Sequence, residues 1–301
     1  SKYDNFFGNL ISDFIQDQFN KYNIDFISSH GHTIAHKDFK YSIQIGNPTI
    51  LKDRYKVPVI YNFRYKDILN GGNGAPLMPY LDWLLFKNFD INMYIVNIGG
   101  ISNVSNVGKN IKINSVIGFD IGPGMCLIDR YVNQNFSKEI DFNGDLASMG
   151  IIDNIMLAEL MQHPFIYKNP PKSASIDNFI SYSLPILKKY NKQSRYNVLR
   201  TLVAYTANTI FFNITSFFNF SNIKSKVILS GGGCLNKVLR NDLEILFGEN
   251  IILLSSRYDI DPIFKESILM LALGISRIKN INSNMPSVTG AKKRVSLGYI
   301  K

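Results

Sequence analysis

An acidic side chain flanked by glycines is the residue of this sequence whose type and setting suit chemistry best. Asp120 stands in the run GFDIGPG at residues 118–124, where a strand-like segment ends in a rigid Gly-Pro-Gly turn. A carboxylate at a strand end can serve as a general base or associate with Mg²⁺ in phosphoryl transfer. An Asp before a helix is also a common N-cap. The run alone leaves both interpretations open.

A glycine pair between two strand-like runs gives a second candidate. Gly99 and Gly100 separate the runs at residues 94–98 and 101–107, which predicts a hairpin turn with a positive φ. Backbone N–H groups without side chains can approach phosphate oxygens closely at such a turn. A bare turn without any ligand is the alternative.

Three consecutive glycines give a third candidate. Gly231, Gly232 and Gly233 follow a strand-like run and precede a helical pattern at residues 236–247. Glycines before a helix N-terminus let a nucleotide lie against the backbone, where free N–H groups favour anions. The sequence contains neither G-x-x-x-x-G-K-[ST] nor G-x-G-x-x-G, which disfavours a P-loop or a typical Rossmann site. A nucleotide site built from a strand hairpin and a strand-to-helix turn remains.

Three histidines lie close together in the sequence. His30, His32 and His36 form one His-x-His pair with a third His four residues on. This spacing is weak evidence for a metal site, and hydrogen bonding to a ligand is the favoured interpretation.

Taken in order, longer runs resemble the anhydro-N-acetylmuramic acid kinase family, sugar kinases of bacterial cell-wall recycling in the actin-like ATPase superfamily. The similar runs are SHGHT at 29–33 with His36, QIG at 44–46, NFRYKD at 62–67, GGNGAPL at 71–77, NIGGISN at 97–103, GFDIGPG at 118–124, PPKS at 170–173, GGG at 231–233 with Asn236, Glu266, VTGA at 288–291 and LG at 297–298. The resemblance extends from about Phe7 to Leu297.

The resemblance implies an ATP- and Mg²⁺-dependent kinase that opens 1,6-anhydro-N-acetylmuramic acid with water and forms N-acetylmuramic acid 6-phosphate. It implies that Asp120 is the catalytic base. The substrate-binding residues that it implies are His32, Thr33, Arg64 and Glu266. The nucleotide-binding residues that it implies are Gly99, Gly100, Asn103, Gly122, Gly124, Gly231, Gly232, Gly233 and Asn236. No protein metal ligand is implied.

The sequence departs from the family pattern at several places. The family begins with a strand and a Gly-Thr-Ser-x-Asp-Gly loop that contacts phosphates, and this sequence starts after that point. Ile121 stands in place of a Thr, Met125 in place of an Asn, and His32 in place of a Gln. Two explanations stay open: the chain is part of a longer active kinase, or it is a truncated, catalytically impaired paralogue that keeps the fold.

The elements that must position these residues alternate between strands and helices. Apolar spacing predicts helices at residues 5–20, 199–220 and 265–278, and the last is apolar nearly all round and is expected to be buried. Phe211, Phe212, Phe217 and Phe218 are expected in the core rather than as stacking platforms.

Short apolar runs between the helices predict an α/β fold. The resemblance specifies a two-lobed actin-like ATPase (ribonuclease H-like) sugar-kinase fold whose first lobe lacks its N-terminal part. The expected lobes are residues 1–86 joined by 285–301, and residues 87–284.

The composition and net charge of the chain limit which classes of function remain. The chain has 301 residues, 46% of them hydrophobic, and 33 basic against 23 acidic side chains give a net charge of +10. This charge favours phosphate-bearing partners, so a basic nucleic-acid-binding protein is a remote alternative to a small-molecule kinase. Two cysteines give no disulfide framework, and we find neither a signal peptide nor a membrane-spanning run, which predicts a cytoplasmic protein. A homodimer is compatible with the resemblance.

Overall fold

The computed structural model describes residues 1–108, 110–221 and 223–301 and is mixed α/β, as the sequence predicts. The chain divides into two compact units. Unit 1 comprises Ser1–Leu84, Lys112–Val116 and Glu266–Lys301, and unit 2 comprises Leu85–Ile111 and Ile117–Lys265. The lobes expected from the sequence assign residues 266–284 to the second lobe, whereas these residues lie in unit 1.

Unit 1 contains two small sheets. Its elements are α1 (Lys2–Lys21), β1 (Ile27–Ser28), β2 (His32–Lys37), β3 (Tyr41–Ile45), α2 (Pro48–Tyr55), β4 (Val59–Tyr61), α3 (Tyr65–Leu69), α4 (Met78–Phe86), which runs to the unit boundary, α11 (Lys265–Ile278), which starts there, α12 (Pro286–Thr289) and β10 (Tyr299–Ile300). Strand β4 pairs with β1 in parallel and with β10 in antiparallel orientation, and β2 and β3 form a hairpin.

Unit 2 is built on one five-stranded sheet. Its elements are β5 (Asn92–Ile98), β6 (Ile101–Gly108), β7 (Ile117–Pro123), α5 (Cys126–Phe136), α6 (Asn154–Met161), α7 (Pro164–Tyr167), α8 (Ile176–Lys189), α9 (Arg195–Phe217), β8 (Ser225–Ser230), α10 (Lys237–Phe247) and β9 (Ile252–Leu254). The strand order is β7-β6-β5-β8-β9. The first three strands form an antiparallel meander, and β8 and β9 extend it in parallel.

The core of unit 2 explains its aromatic content. Helix α9 buries residues along most of its length against the sheet and α10. Phe218 belongs to the buried core, and Phe211, Phe212 and Phe217 pack against it, which confirms the prediction of core packing. Both cysteines are free thiols, and burial raises their pKa to about 11.

Helix α11 has the predicted bounds but not the predicted environment. Leu269 and Leu273 are buried, whereas Leu271 and Ile275 are exposed by 49% and 39%. The prediction of a helix buried all round is therefore wrong, because only one face packs against the unit. Within the three described ranges, no helix has both the length and the apolar composition to span a membrane.

Candidate functional site

Asp120 lies on β7 and is held by one short neighbouring segment. Its backbone N–H donates to the carbonyl oxygen of Lys172 over 3.2 Å. Its Oδ2 accepts from the backbone N–H of Ala174 at 2.8 Å and from Oγ of Ser173 at 3.3 Å. The helix-cap alternative is wrong, since α5 begins at Cys126 and its N-cap is Met125. The carboxylate is thus oriented from outside its own strand.

The glycine pair forms the turn between β5 and β6, and the Gly-Pro-Gly turn lies directly on it. The N–H of Gly124 donates to Gly100 over 2.9 Å, and that of Met125 donates to Gly99 over 2.8 Å. A Cβ on Gly124 would lie 2.1 Å from the Gly99 oxygen. The expected positive φ at Gly99 and Gly100 is wrong. Close backbone approach therefore excludes a side chain at Gly124, and no left-handed conformation is needed at Gly99 or Gly100.

The three-glycine run differs from one residue to the next. Gly231 has a φ of 81°, in the region that favours glycine. A Cβ on Gly233 would lie 2.3 Å from Cγ2 of Ile98, whereas a Cβ on Gly232 would meet no atom within 4 Å. Gly232 therefore lacks a steric reason within the protein.

A cavity of about 580 Å³ in unit 2 collects five of the predicted nucleotide residues. The five are Gly99, Gly100, Gly232, Gly233 and Asn236. Asn236 is 3% exposed, and its Oδ1 accepts from the N–H of Leu239 as the cap of α10. Its Nδ2 has no hydrogen-bond partner. The cavity therefore contains a buried donor that a ligand can satisfy.

The other predicted nucleotide residues do not line this cavity. Asn103 pairs with Asp120 in the β6–β7 register, and Gly122 packs where a Cβ would meet Thr209 at 3.2 Å. Gly124 makes the backbone approach described above, and Gly231 adopts the positive φ. Of the two departures from the family pattern beside Asp120, Ile121 is fully buried, and Met125 lines the cavity.

Asp129 is a cavity residue that sequence reasoning missed. It lies on α5, one helical turn after Met125, and its Oδ1 is buried without a hydrogen-bond partner. Burial, and then the charge of Asp141, raise the pKa of the Asp129 carboxyl to about 6. Asp141 also lines the cavity, but its oxygens accept from the N–H groups of Leu146 and Ala147. Only its position five residues after the Gly-Pro-Gly turn could have indicated Asp129.

In unit 1 the predicted substrate residue Arg64 is held by neutral groups. Its Nε donates to Nε2 of His30 over 3.0 Å, and its Nη1 donates to the carbonyl oxygen of Gly74 over 2.9 Å. Burial lowers the pKa of the Arg64 guanidinium, and the charge of Glu266 opposes this effect. Burial, and then the charge of Arg64, lower the pKa of His30 to about 4. The ring of His30 is therefore neutral near pH 7.

A buried carboxylate fixes the loop that holds Arg64. Asp67 accepts from the N–H of Gly74 at 2.8 Å, from Nδ2 of Asn284 at 2.9 Å and from Oγ1 of Thr289 at 2.8 Å. These bonds join two runs of the family pattern, NFRYKD and VTGA, and they place the Gly74 carbonyl against Arg64.

The remaining substrate residues of the prediction are more exposed. His32 on β2 is exposed and stacks on Phe7 with a centroid distance of 5.5 Å, and Oγ1 of Thr33 accepts from Gln44. Glu266 is exposed in the first turn of α11. Among the residues that the structure describes, we find no group of three or more His, Cys, Asp or Glu side chains that could hold a metal ion.

The comparisons with known proteins identify one family. A family model described as anhydro-N-acetylmuramic acid kinase matches residues 1–301. Proteins of that name are similar to this chain: one from Clostridioides difficile (36% identity, 92% of this chain and 74% of the relative), one from Francisella tularensis subsp. novicida (36%, 92% and 74%) and one from Bacillus cereus (35%, 98% and 80%).

The solved structures that align with this chain are less similar to it in sequence. The activator of the 2-hydroxyisocaproyl-CoA dehydratase from Clostridium difficile with bound ADPNP aligns at 10% identity with a TM-score of 0.45, over 79% of this chain and 87% of that one.

Proposed function

The chain belongs to the anhydro-N-acetylmuramic acid kinase family, and from this membership we propose that it converts 1,6-anhydro-N-acetylmuramic acid, ATP and water to N-acetylmuramic acid 6-phosphate and ADP in peptidoglycan recycling. Water adds its oxygen to the anomeric carbon, and the bond from that carbon to the ring-bridging O6 breaks. O6 then forms its new bond to the γ-phosphorus, and the bond from that phosphorus to the β–γ bridging oxygen breaks.

We assign the general base to Asp120. It takes one proton from the attacking water, which makes the water oxygen nucleophilic, and later returns the proton to solvent. The single observation that carries this assignment is the orientation of its carboxylate by Ser173 and Ala174, on a strand whose end turns onto the Gly99–Gly100 hairpin. A fixed carboxylate beside backbone suited to phosphates meets the positioning that phosphoryl transfer needs.

We assign ATP to the cavity of unit 2. The glycines there allow backbone contact with the nucleotide, and Nδ2 of Asn236 offers a donor that the protein leaves without a partner. Asn103, Gly122, Gly124 and Gly231 keep their predicted place in this site as residues that shape it.

We assign the sugar to residues of unit 1. Arg64 carries a charge among neutral acceptors, which favours an anion such as the lactyl carboxylate. His32, Thr33 and Glu266 are proposed to hydrogen-bond the sugar hydroxyl and amide groups.

Mg²⁺ fits the cavity through Asp129. Mg²⁺ is usually held by one or two carboxylates together with substrate phosphates. Oδ1 of Asp129 is a buried oxygen without a hydrogen-bond partner. We therefore assign the ion to Asp129 and the ATP phosphates, where it would neutralise charge on the β- and γ-phosphate oxygens.

A coupled assay of ADP release with the anhydro sugar tests the proposal, with mass spectrometry of the product and Asp120→Asn as the matched control. We expect ADP release that depends on the sugar and falls at least about 100-fold in Asp120→Asn. Turnover of the 301-residue chain no higher than that of Asp120→Asn would contradict the proposal.

One observation favours the alternative of a catalytically impaired paralogue. The apolar side chain of Met125 lines the cavity where the family pattern has a polar one. In that case ATP binds the cavity, as measured by calorimetry, without sugar-dependent ADP release. We further propose a cytoplasmic protein acting on small molecules, as a homodimer, and not on nucleic acid. Salt-sensitive binding to mixed DNA or RNA would favour the remote alternative, which rests on the net charge alone.

A further inference from the structure

Lys172 is buried to a degree that lysine rarely reaches. It is 4% exposed. Its ammonium donates to the carbonyl oxygens of Phe165 at 3.2 Å and Ile166 at 3.0 Å, and to Oδ1 of Asn213 at 2.6 Å. The Asn213 amide cannot flip, because its Nδ2 donates to the carbonyl oxygen of Thr209. Hydrogen-bonding neighbours from α7 and α9 thus hold the ammonium in one position.

Aromatic rings surround the same ammonium. The nitrogen lies 4.7 Å from the ring centroid of Phe217, 5.0 Å from that of Phe165 and 5.5 Å from that of Phe119. Ring faces attract a cation, most strongly where water is excluded. Burial lowers the pKa of Lys172 to about 8, so the ammonium is mostly protonated near pH 7.

The backbone of the same residue begins the segment that holds Asp120. The carbonyl oxygen of Lys172 accepts the Asp120 N–H, and Ser173 and Ala174 donate to Oδ2 of Asp120. The anchored side chain and the contacts to Asp120 therefore belong to three consecutive residues.

We propose that Lys172 is a positioning residue that keeps the carboxylate of Asp120 oriented and ionised. The inference rests on the proposed function of Asp120 as the base. Its first part, the orientation of the carboxylate, follows from the hydrogen bonds of the ammonium, because their loss releases the segment that carries the donors to Oδ2 of Asp120. Its second part follows from charge: Asp120 raises the pKa of Lys172, and the same attraction favours the ionised carboxylate. Lys168 also acts on Lys172, and its charge opposes the protonation of Lys172.

Three variants separate the effect of Lys172 on the orientation of the Asp120 carboxylate from its effect on the ionisation of that carboxylate. Lys172→Met removes the charge and the hydrogen bonds but keeps an unbranched chain among the rings. Asn213→Leu removes one anchor and keeps the charge. Lys168→Met removes an exposed charge nearby and is the matched control. Sugar-dependent kcat and KM, thermal unfolding, and the ¹³C carboxyl titration of Asp120, assigned with Asp120→Asn, are measured for each.

We expect kcat of Lys172→Met to fall at least about tenfold, with KM for the sugar changed less than about twofold. The Asp120 carboxyl should titrate about half a pH unit or more higher than in the wild type. Asn213→Leu should lower kcat and move this titration less than Lys172→Met does, because it keeps the charge of Lys172, and Lys168→Met should change neither.

Unchanged kcat and an unchanged Asp120 titration in folded Lys172→Met would overturn the inference. If Lys172→Met does not fold, unchanged kcat in Asn213→Leu overturns it instead. Absence of turnover in the wild type is a failure of the proposed function and not of this inference. In that case the carboxyl titration alone decides whether Lys172 keeps Asp120 ionised.

Discussion

The Nε–H of Arg64 donates to Nε2 of His30 over 3.0 Å, a hydrogen bond between residues 34 positions apart. A guanidinium has no acceptor, so His30 must accept through Nε2 and carry its proton on Nδ1. Nδ1 lies 3.1 Å from the Gly31 carbonyl oxygen, which suits that tautomer. The neutral ring holds the guanidinium in place without neutralising it, and Arg64 remains a cation that an anionic ligand can pair with.

Arg64→Lys should therefore weaken sugar binding more than it slows turnover. A lysine ammonium cannot form the planar two-pronged contact with a carboxylate and cannot keep the bonds to both His30 and Gly74. We expect the KM for the anhydro sugar to rise about 10- to 100-fold, measured by steady-state ADP release. Arg54→Lys is the control, since Arg54 bonds Asp13 and Gln16 on the surface of unit 1. Equal KM values for Arg64→Lys and wild type would contradict the assignment.

His30 should make the protein less stable in mild acid. Its pKa is lowered from 6.5 to about 4 in the folded chain, so the unfolded chain binds the proton more tightly. The contribution of neutral His30 to the free energy of unfolding is fully present above about pH 6.5. It is lost as the pH falls toward 4, by up to about 3 kcal/mol. His30→Gln removes the titration, and its denaturant midpoint should depend less on pH in this window. The exposed His36→Gln is the control, and a pH dependence equal to the wild type in His30→Gln would refute the prediction.

Local patterns were sufficient for the elements that carry the site. Helices α1, α9 and α11 and the strands before each glycine cluster follow from apolar periodicity and from Gly and Asn at their ends, which are local properties. The same patterns were less informative about which faces of a helix are buried. The sequence of α11 is apolar nearly all round, yet its burial depends on which elements pack against it, and those come from distant parts of the chain.

Contacts between distant residues explain what the sequence did not reveal. Gly124 lacks a side chain because a Cβ there would lie 2.1 Å from the carbonyl oxygen of Gly99, 25 positions earlier, and no local rule for turns contains that reason. The bond from Arg64 to His30 and the contact of Lys172 with Asp120 are likewise non-local. Asp129 has no motif of its own, since only a cavity closed by α5 and the β8–α10 turn gives its carboxylate a role.

Asp129→Asn should raise the Mg²⁺ requirement of the reaction. The amide oxygen is a weaker ligand for a hard cation than a carboxylate oxygen, and it carries no charge. We expect the Mg²⁺ concentration for half-maximal ADP release to increase about tenfold or more at fixed ATP. Glu139→Gln removes an exposed charge nearby in the sequence and is the control. An unchanged Mg²⁺ dependence in Asp129→Asn would exclude the proposed ligand.

Gly232→Ala tests the nucleotide assignment apart from folding. A Cβ at Gly232 meets no protein atom within 4 Å, and φ there is not positive, so the methyl group costs the fold nothing. The residue lines the cavity, and a nucleotide against the backbone would meet that methyl group. We expect a melting temperature no lower than that of the wild type and a KM for ATP at least about tenfold higher. Gly233→Ala is the contrasting variant, because its Cβ would lie 2.3 Å from Ile98, and it should destabilise the protein by about 1–3 kcal/mol. If Gly232→Ala keeps both its stability and its KM for ATP, the nucleotide does not lie against this turn, and the assignment of ATP to the cavity fails.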